Sequence, residues 1–234
     1  MATNVFDFGS LASDDHAFSA WLKQQNLIKS EVACPECCST MKEVAGKRMW
    51  LCSKRGQHPS GKVARESMLK GTIFEGARAS PDHIMKLCYS FSLKLTYSST
   101  TEQTGASSQT IAKWFGIFRE ICMEKLRQVL STFHEQPLSC TGTVIMSDCW
   151  RGYTRLEDEG YEHLTVNHSQ HFIDPVSGAN TQRIESSWRA LKRRLSRGGI
   201  RKDEYGLHFA EYLWFQKYCE NSFLNFVSHI AEIY

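Results

Sequence analysis

Between His83 and Ser147 the chain contains no aspartate. A metal-dependent phosphoryl-transfer site that used Asp148 would need a further carboxylate upstream, and no aspartate of that stretch supplies it. Long apolar runs are missing as well. Nothing approaches the roughly 20 consecutive apolar residues of a membrane-spanning helix, so a membrane partner is not expected. The opening residues, MATNVFDFGSLASDDHAF, lack the basic start and apolar core of a secretory signal. An intracellular protein is the expectation, in the nucleus if the host is a eukaryote and in the cytoplasm if it is a bacterium. No internal repeat or low-complexity tract occurs.

What is present is sufficient for a folded protein. With 234 residues and 41% hydrophobic content, the chain can bury a real core in one large or two small domains. The nine cysteines read as metal ligands and buried thiols, because intracellular compartments keep thiols reduced. The formal charge is only +3, yet Lys192, Arg193, Arg194, Arg197, Arg201 and Lys202 crowd one segment. Such a cluster suits phosphate contacts, although a solvated helix face would look the same.

Residues 1–30 read as a leader with one amphipathic helix, its stripe formed by Phe18, Trp21, Leu22 and Leu27. A metal-binding segment follows over 31–75. Cys34 and Cys37 form a Cys-x-x-Cys pair, a strand-like stretch at 48–51 leads to Cys52, and His58 completes a set of four donors suited to tetrahedral zinc. The Cys52 and His58 spacing is looser than a second knuckle would be, and Cys38 competes as a ligand. Ordinary reduced cysteines beside a turn are the alternative. A zinc ribbon here would stabilise a segment too short and polar to fold alone.

From residue 80 to 130 the pattern is helical. Ser80, Pro81 and Asp82 open a helix that carries Ile84, Leu87, Cys88, Phe91 and Leu95 at three-to-four spacing. A short helix, a turn at Gly105 and a long helix capped by Ser107 or Ser108 come next, with Ile111, Trp114 or Phe115, Phe118, Ile121 or Cys122, and Leu126 on one face. This is the layout of a helix-turn-helix, whose second helix would present Gln109, Thr110 and Lys113 to DNA. A plain helical hairpin has the same pattern. Residues 131–143 read as an irregular connector.

Beyond it come a strand ending at Asp148 and a short helix around 151–159. A second strand at 161–166 and a loop lead into a helix from about Thr181 to Ser196. Two further helical faces follow, one of Leu207, Ala210, Leu213 and Trp214 and one of Phe223, Phe226, Val227 and Ile230. Asp148 at a strand end and Glu185 at a helix start suit two carboxylates sharing a divalent metal. Magnesium or manganese would be that ion, since hard cations take oxygen ligands. His168 and Asp174 could position water or phosphate near it, or simply hydrogen-bond the loop. Trp150, Tyr153 and Trp188 read as packing residues, and Cys149 as a small buried one.

The ordered motifs Ser147-Asp-Cys-Trp-Arg-Gly-Tyr153, Thr165-Val-Asn-His-Ser169, Phe172-Ile-Asp-Pro175, Asn180-Thr181 and Ile184-Glu-Ser-Ser-Trp188 with Leu191-Lys192 resemble the signature of the ISXO-like, Merlin-type DDE transposases. The resemblance covers 142 to about 218, and its domain order extends weakly over 34–127. It implies a ribonuclease-H-like core, DNA as partner in the form of transposon ends, and Asp148 and Glu185 as the second and third acids of a catalytic triad.

The family's first acid sits on a strand followed by two more strands and a helix. Arg127 to Thr143 are too few residues for those elements at about five residues or more each. Glu135 is the only acid between Arg127 and Asp148, and it falls in the connector. The fold expected is therefore mixed α+β: a zinc ribbon, a helix-turn-helix region, and over 140–234 an incomplete ribonuclease-H-like core with C-terminal helices. A truncated sheet exposes its edge, so marginal stability or self-association into a homo-oligomer is expected for 140–200.

The function expected is that of a transposase-derived DNA-binding protein impaired in cutting, with DNA contacts from Gln109, Thr110, Lys113, Lys192, Arg193, Arg194 and Arg197. An active DDE transposase with its missing acid supplied elsewhere is the alternative. A zinc-ribbon interaction module without a nucleic-acid role is the third.

Overall fold

A glycine ends one helix and a serine starts the next at the point where the chain's longest helix begins, and the packing of the first unit follows from that turn. In the computed structural model, which describes residues 9–11, 14–44, 46–135, 144–195 and 200–234, the chain packs as two units: 1–121 with 217–234, and 122–216. No described helix is long and apolar enough to cross a membrane.

In the first unit, helix α1 (Asp15–Gln24) starts where the Asp14 carboxylate accepts from the backbone N–H groups of His16 and Ala17, and it buries Phe18 and Leu22. Trp21 stacks between Phe18 and Phe223. Strands β1 (Lys42–Val44), β2 (Met49–Cys52) and β3 (Ala64–Ser67) form an antiparallel sheet in that order. Glu43 and Glu66 flank Trp50, and Cys52 lies opposite Ala64. Period-two alternation buries Trp50 and Cys52.

Helix α2 (Pro81–Ser92) buries Ile84, Met85, Leu87, Cys88 and Phe91. Ser80 caps it through its carbonyl, which accepts from Ile84, and the Ser80 side chain makes no cap hydrogen bond. Helix α3 (Tyr97–Thr104) ends at Gly105, whose φ of 70° is the left-handed conformation that closes a helix C-terminus without steric cost. Ser107 then accepts from the Thr110 N–H at 3.2 Å, and helix α4 (Ser108–Glu135) begins. It runs past the expected end at Leu130, so Glu135 closes a helix rather than lying in an irregular connector.

The heart of this unit is aromatic. Phe91 on α2 meets Phe115 and Phe118 on α4 at ring distances of 5.2 and 5.4 Å, and Phe226 at 5.4 Å. Phe226 belongs to helix α7 (Ser222–Ile233), so the C-terminal helix returns to the core of residues more than a hundred positions earlier. The Ser222 hydroxyl also donates to the Ser92 carbonyl.

In the second unit, strands β4 (Val144–Asp148) and β5 (Glu162–Val166) pair in parallel, Val144 opposite Glu162 and Asp148 opposite Val166. Parallel neighbours require a crossover of about a dozen residues. Residues 149–161 supply it as a 3-10 turn at Arg151–Tyr153 followed by further turns, not as the short helix expected. Helices α5 (Gln182–Leu195) and α6 (Tyr205–Lys217) follow. Among the described residues these two strands are the whole of the parallel sheet. On β4 Val144 is 43% and Met146 46% exposed, although strands of parallel sheets are ordinarily covered on both faces.

Truncating a ring in the aromatic core creates a cavity that the helices around it cannot close. Phe118→Ala is expected to lower stability by about 3–5 kcal/mol, read as a shift of the urea midpoint at unchanged slope. Leu93→Ala, at a residue 45% exposed, should change it by less than about 0.5 kcal/mol.

Candidate functional site

Two groups of chemistry-bearing side chains emerge, one in each unit. In the first, the turn after Ala33 carries Cys34 and Cys37, the end of β2 carries Cys52, and the turn after Arg55–Gln57 carries His58. Their ligand atoms all lie within 4.8 Å of one another. Cys34, Cys52 and His58 are buried, and Cys37 is half-buried. Cys38, the competing candidate, is exposed and stands outside the group.

Zinc at about 2.3 Å from sulfur and about 2.0–2.1 Å from nitrogen sets tetrahedral neighbours about 3.8 Å apart between sulfurs and about 3.6 Å between sulfur and nitrogen. Here Cys37 Sγ is 3.7 Å from Cys52 Sγ, and His58 Nε2 is 3.3 and 3.4 Å from the sulfurs of Cys52 and Cys34. The donors fit the ion. The His58 Nδ1–H donates to the Lys62 carbonyl at 2.5 Å, which assigns the proton to Nδ1 and leaves Nε2 to ligate, the usual outer partnership of a metal-binding imidazole.

Electrostatics point the same way. The Ser39 backbone N–H, seconded by the Ser39 hydroxyl, draws the Cys37 thiol down to about 6. At Cys52 a backbone hydrogen bond from Lys54 pulls the pKa down, but burial and the thiols of Cys37 and Cys34 outweigh it and leave it raised. One thiolate forms readily and the next is resisted. A divalent cation removes that resistance, so the cluster could hold zinc through three thiolates and a neutral imidazole.

In the second unit each carboxylate is tied to the C-terminal end of one strand of the parallel pair, Asp148 as the last residue of β4 and Glu185 through His168, which follows β5. Asp148 ends β4, and its Oδ1 accepts from the Trp150 N–H at 3.2 Å. Its partner Val166 ends β5, two residues before His168. His168 Nε2 lies 2.6 Å from Thr181 Oγ1, and the Thr181 hydroxyl donates to Glu185 Oε1 at 2.6 Å. Because that hydroxyl proton goes to Glu185, Thr181 oxygen accepts from His168, which puts a proton on Nε2. His168 Nε2 is also 3.1 Å from Glu185 Oε1.

His168 thus joins the C-terminal end of β5 to the first turn of α5. The crevice outside the carboxyl ends of parallel strands is where open α/β sheets bind ligands. Thr181, 7% exposed, belongs to the Asn180-Thr181 motif, but its link to Glu185 was not expected from the sequence, where its spacing of four residues before Glu185 was the available signal.

Asp174 does different work. Its Oδ1 accepts from the N–H groups of Val176 and Ser177 and from the Ser177 hydroxyl. The Ser177 backbone N–H is the main reason its pKa is lowered, and the carboxylate organises the loop that leads into α5. Cys149 is exposed rather than buried. Trp150, Tyr153 and Trp188, read as packing residues, are 64%, 40% and 47% exposed.

Among the described residues Cys34, Cys37, Cys52 and His58 are the one group of three or more potential metal ligands brought this close. Asp148 and Glu185 are oxygen donors of the kind magnesium takes, yet two-metal chemistry needs more carboxylates than these two. Among the described residues Asp148 and Glu185 do not form a group of potential metal ligands with any third carboxylate.

Of the residues expected to meet DNA, Gln109 and Lys113 are exposed at the start of α4. Thr110 is half-buried, with its hydroxyl 2.9 Å from that of Ser107. Lys192 and Arg193 are exposed on α5, and the side chain of Arg194 and all of Arg197 lie outside the described residues.

Compared with known families, residues 98–221 match the model of the ISXO2-like transposase domain, a span of more than half the chain. No curated protein matches, and no solved structure matches.

The metal cluster yields a pH prediction with a definite sign. A thiol whose folded pKa is depressed contributes stability that is complete above its ordinary value of 9.0 and is lost as pH falls through about 6. Bound metal competes further against protons. Zinc is therefore expected to stay bound at pH 7 and to leave only below about pH 6, as followed by a chromogenic chelator. Cys52→Ser or His58→Ala should abolish stoichiometric uptake, and chelation should lower the melting temperature of the wild type but not of those variants.

Proposed function

The chain belongs to the ISXO2-like transposase domain family, and on that premise we propose that it is a transposase-derived DNA-binding protein that retains two of the three catalytic acids and no longer cuts. The observation that carries the reading is the spacing between α4 and β4. Helix α4 ends at Glu135 and β4 begins at Val144, and the sequence between them, QPLSCTGT, contains no carboxylate. A strand bearing the first acid, with its return to β4, does not fit in that length. In this reading β4, β5 and α5 are what remains of a ribonuclease-H-like core, with Asp148 and Glu185 as its second and third acids. The segment 31–75 is a zinc ribbon, and α3 with the start of α4 is a helix-turn-helix that offers Gln109 and Lys113 to DNA.

DNA is the partner that a transposase family implies. The charge of α5 supports it, since Arg183, Arg189, Lys192, Arg193 and Arg194 share that helix with a single acid, Glu185. Such contacts are phosphate contacts, each of which steepens the dependence of log K on log salt by about 0.9.

Fluorescence anisotropy with duplex DNA across a salt series tests the binding half. Affinity is expected to fall with salt, and Lys192→Glu with Arg193→Glu together should reduce the slope by about two. A nicking assay with Mg²⁺ or Mn²⁺ tests the other half, and no metal-dependent product is expected. Nicking that Asp148→Asn abolishes would establish an active enzyme instead. Absence of binding at the lowest salt would leave the metal-binding segment as an interaction module without a nucleic-acid role.

A further inference from the structure

The chain buries three of its tryptophans almost completely: Trp214 is 0% exposed, and Trp50 and Trp114 are each 4%. Trp150 and Trp188 are the large indoles left at the surface, and each stands beside one of the two carboxylates. Trp150 is two residues past Asp148 and tied to it through its backbone N–H. Trp188 is three residues past Glu185 on α5, so both project from neighbouring rows of the same helix face.

Neither ring is loosely held. Tyr153 packs edge-on against Trp150 at 5.1 Å. The Trp150 ring lies directly over Gly152, where a Cβ would come within 2.1 Å of the indole, so glycine at 152 is what permits that position. Phe209 of α6 lies nearly parallel to Trp188, with centroids 5.8 Å apart and planes 4° from parallel. Both exposed indoles are therefore held in defined orientations, one beside Asp148 and one on the helix that carries Glu185.

We infer that Trp150 and Trp188 are stacking platforms for unpaired nucleobases, and that the ligand of this end of the second unit is single-stranded DNA. The inference rests on the DNA-binding reading above and adds the form of DNA and the residues that take it. One observation favours a nucleic acid over a protein as occupant. Trp188 sits among cations, with Arg189 next to it and Lys192 one turn on, the combination of π-face and positive charge that tracks a single strand. A duplex keeps its base faces covered, so these rings gain most from bases that are already unpaired.

Stacking and charge separate experimentally. Binding of three probes is compared by anisotropy over a salt series: a 20-nucleotide oligothymidine, an abasic strand with the same number of phosphates, and a blunt duplex. The wild type is expected to prefer the base-bearing strand to the abasic one. Trp150→Ala and Trp188→Ala should each weaken binding of the base-bearing strand about five- to a hundredfold, leaving abasic binding and the salt slope unchanged. Trp188→Phe should retain most of the affinity, and Gly152→Ala, by displacing the indole, should reproduce the loss caused by Trp150→Ala.

Because both indoles are exposed, these variants are expected to melt with the wild type. If DNA binds but the base-bearing and abasic strands are held equally, or if the Trp188→Ala and Trp150→Ala proteins bind as the wild type does, the platforms are overturned and the DNA-binding reading stands. If no DNA binds at low salt, both are overturned together.

Discussion

The parallel pairing of Val144–Asp148 with Glu162–Val166 is the constraint on which the acidic end of this protein depends. Antiparallel strands would have put the end of one beside the beginning of the other. Parallel pairing brings both C-terminal ends to one side, so Asp148 and the residues that follow Val166 share an edge. His168 then reaches Thr181 and Glu185 across the start of α5. Remove the pairing and the two carboxylates belong to unrelated pieces of chain. The pairing also has a cost that two strands cannot meet. A parallel strand is normally covered on both faces and paired on both edges, and here Val144 and Met146 remain open to water. Under the proposal of an incomplete ribonuclease-H-like core, the element that would cover β4 is also the one that would carry the first carboxylate.

The first unit is held differently. Its helices close around Phe91, Phe115, Phe118 and Phe226, a core that apolar burial alone sustains. The segment 31–75 buries Met41, Trp50, Met68 and Phe74 beside a sheet of three short strands. Three sulfurs and an imidazole within 4.8 Å of one another are repulsive as thiolates and cohesive as ligands, so a metal ion would add a constraint that apolar burial does not supply.

Periodicity and motif spacing made the helices and the metal cluster legible. Ile84 through Phe91, Ile111 through Cys122, and Phe223 through Ile230 carry their buried faces in the order of their residues. The Cys34, Cys37, Cys52 and His58 set follows from donor chemistry and one tight turn. Other features could not be read this way. The extension of α4 to Glu135 crosses a stretch with weak apolar spacing, where helix continuation depends on propagation from a well-packed start. The surface positions of Trp150, Trp188 and Cys149 are not encoded by those residues at all. Whether an indole is covered depends on which other elements pack over it, and a pattern of residue types does not record that. Thr181 was hidden for a related reason, since a threonine at a helix start ordinarily signals a cap, and only the arrival of His168 from β5 turns it into a link to Glu185.

Cutting and binding place unequal demands on such a chain. Two-metal phosphodiester cleavage requires several carboxylates to hold ions about 3.5–4 Å apart, so the loss of one acid removes the geometry rather than a share of the rate. Phosphate binding is a sum over many Lys and Arg contacts, each with its own increment and none indispensable, and stacking on an indole depends on a single exposed face. On the reading proposed above, the short span between Glu135 and Val144 bears on the first kind of interaction and not on the second. Under that proposal cleavage is lost abruptly, while phosphate binding, spread over many side chains, and stacking on an exposed indole are retained.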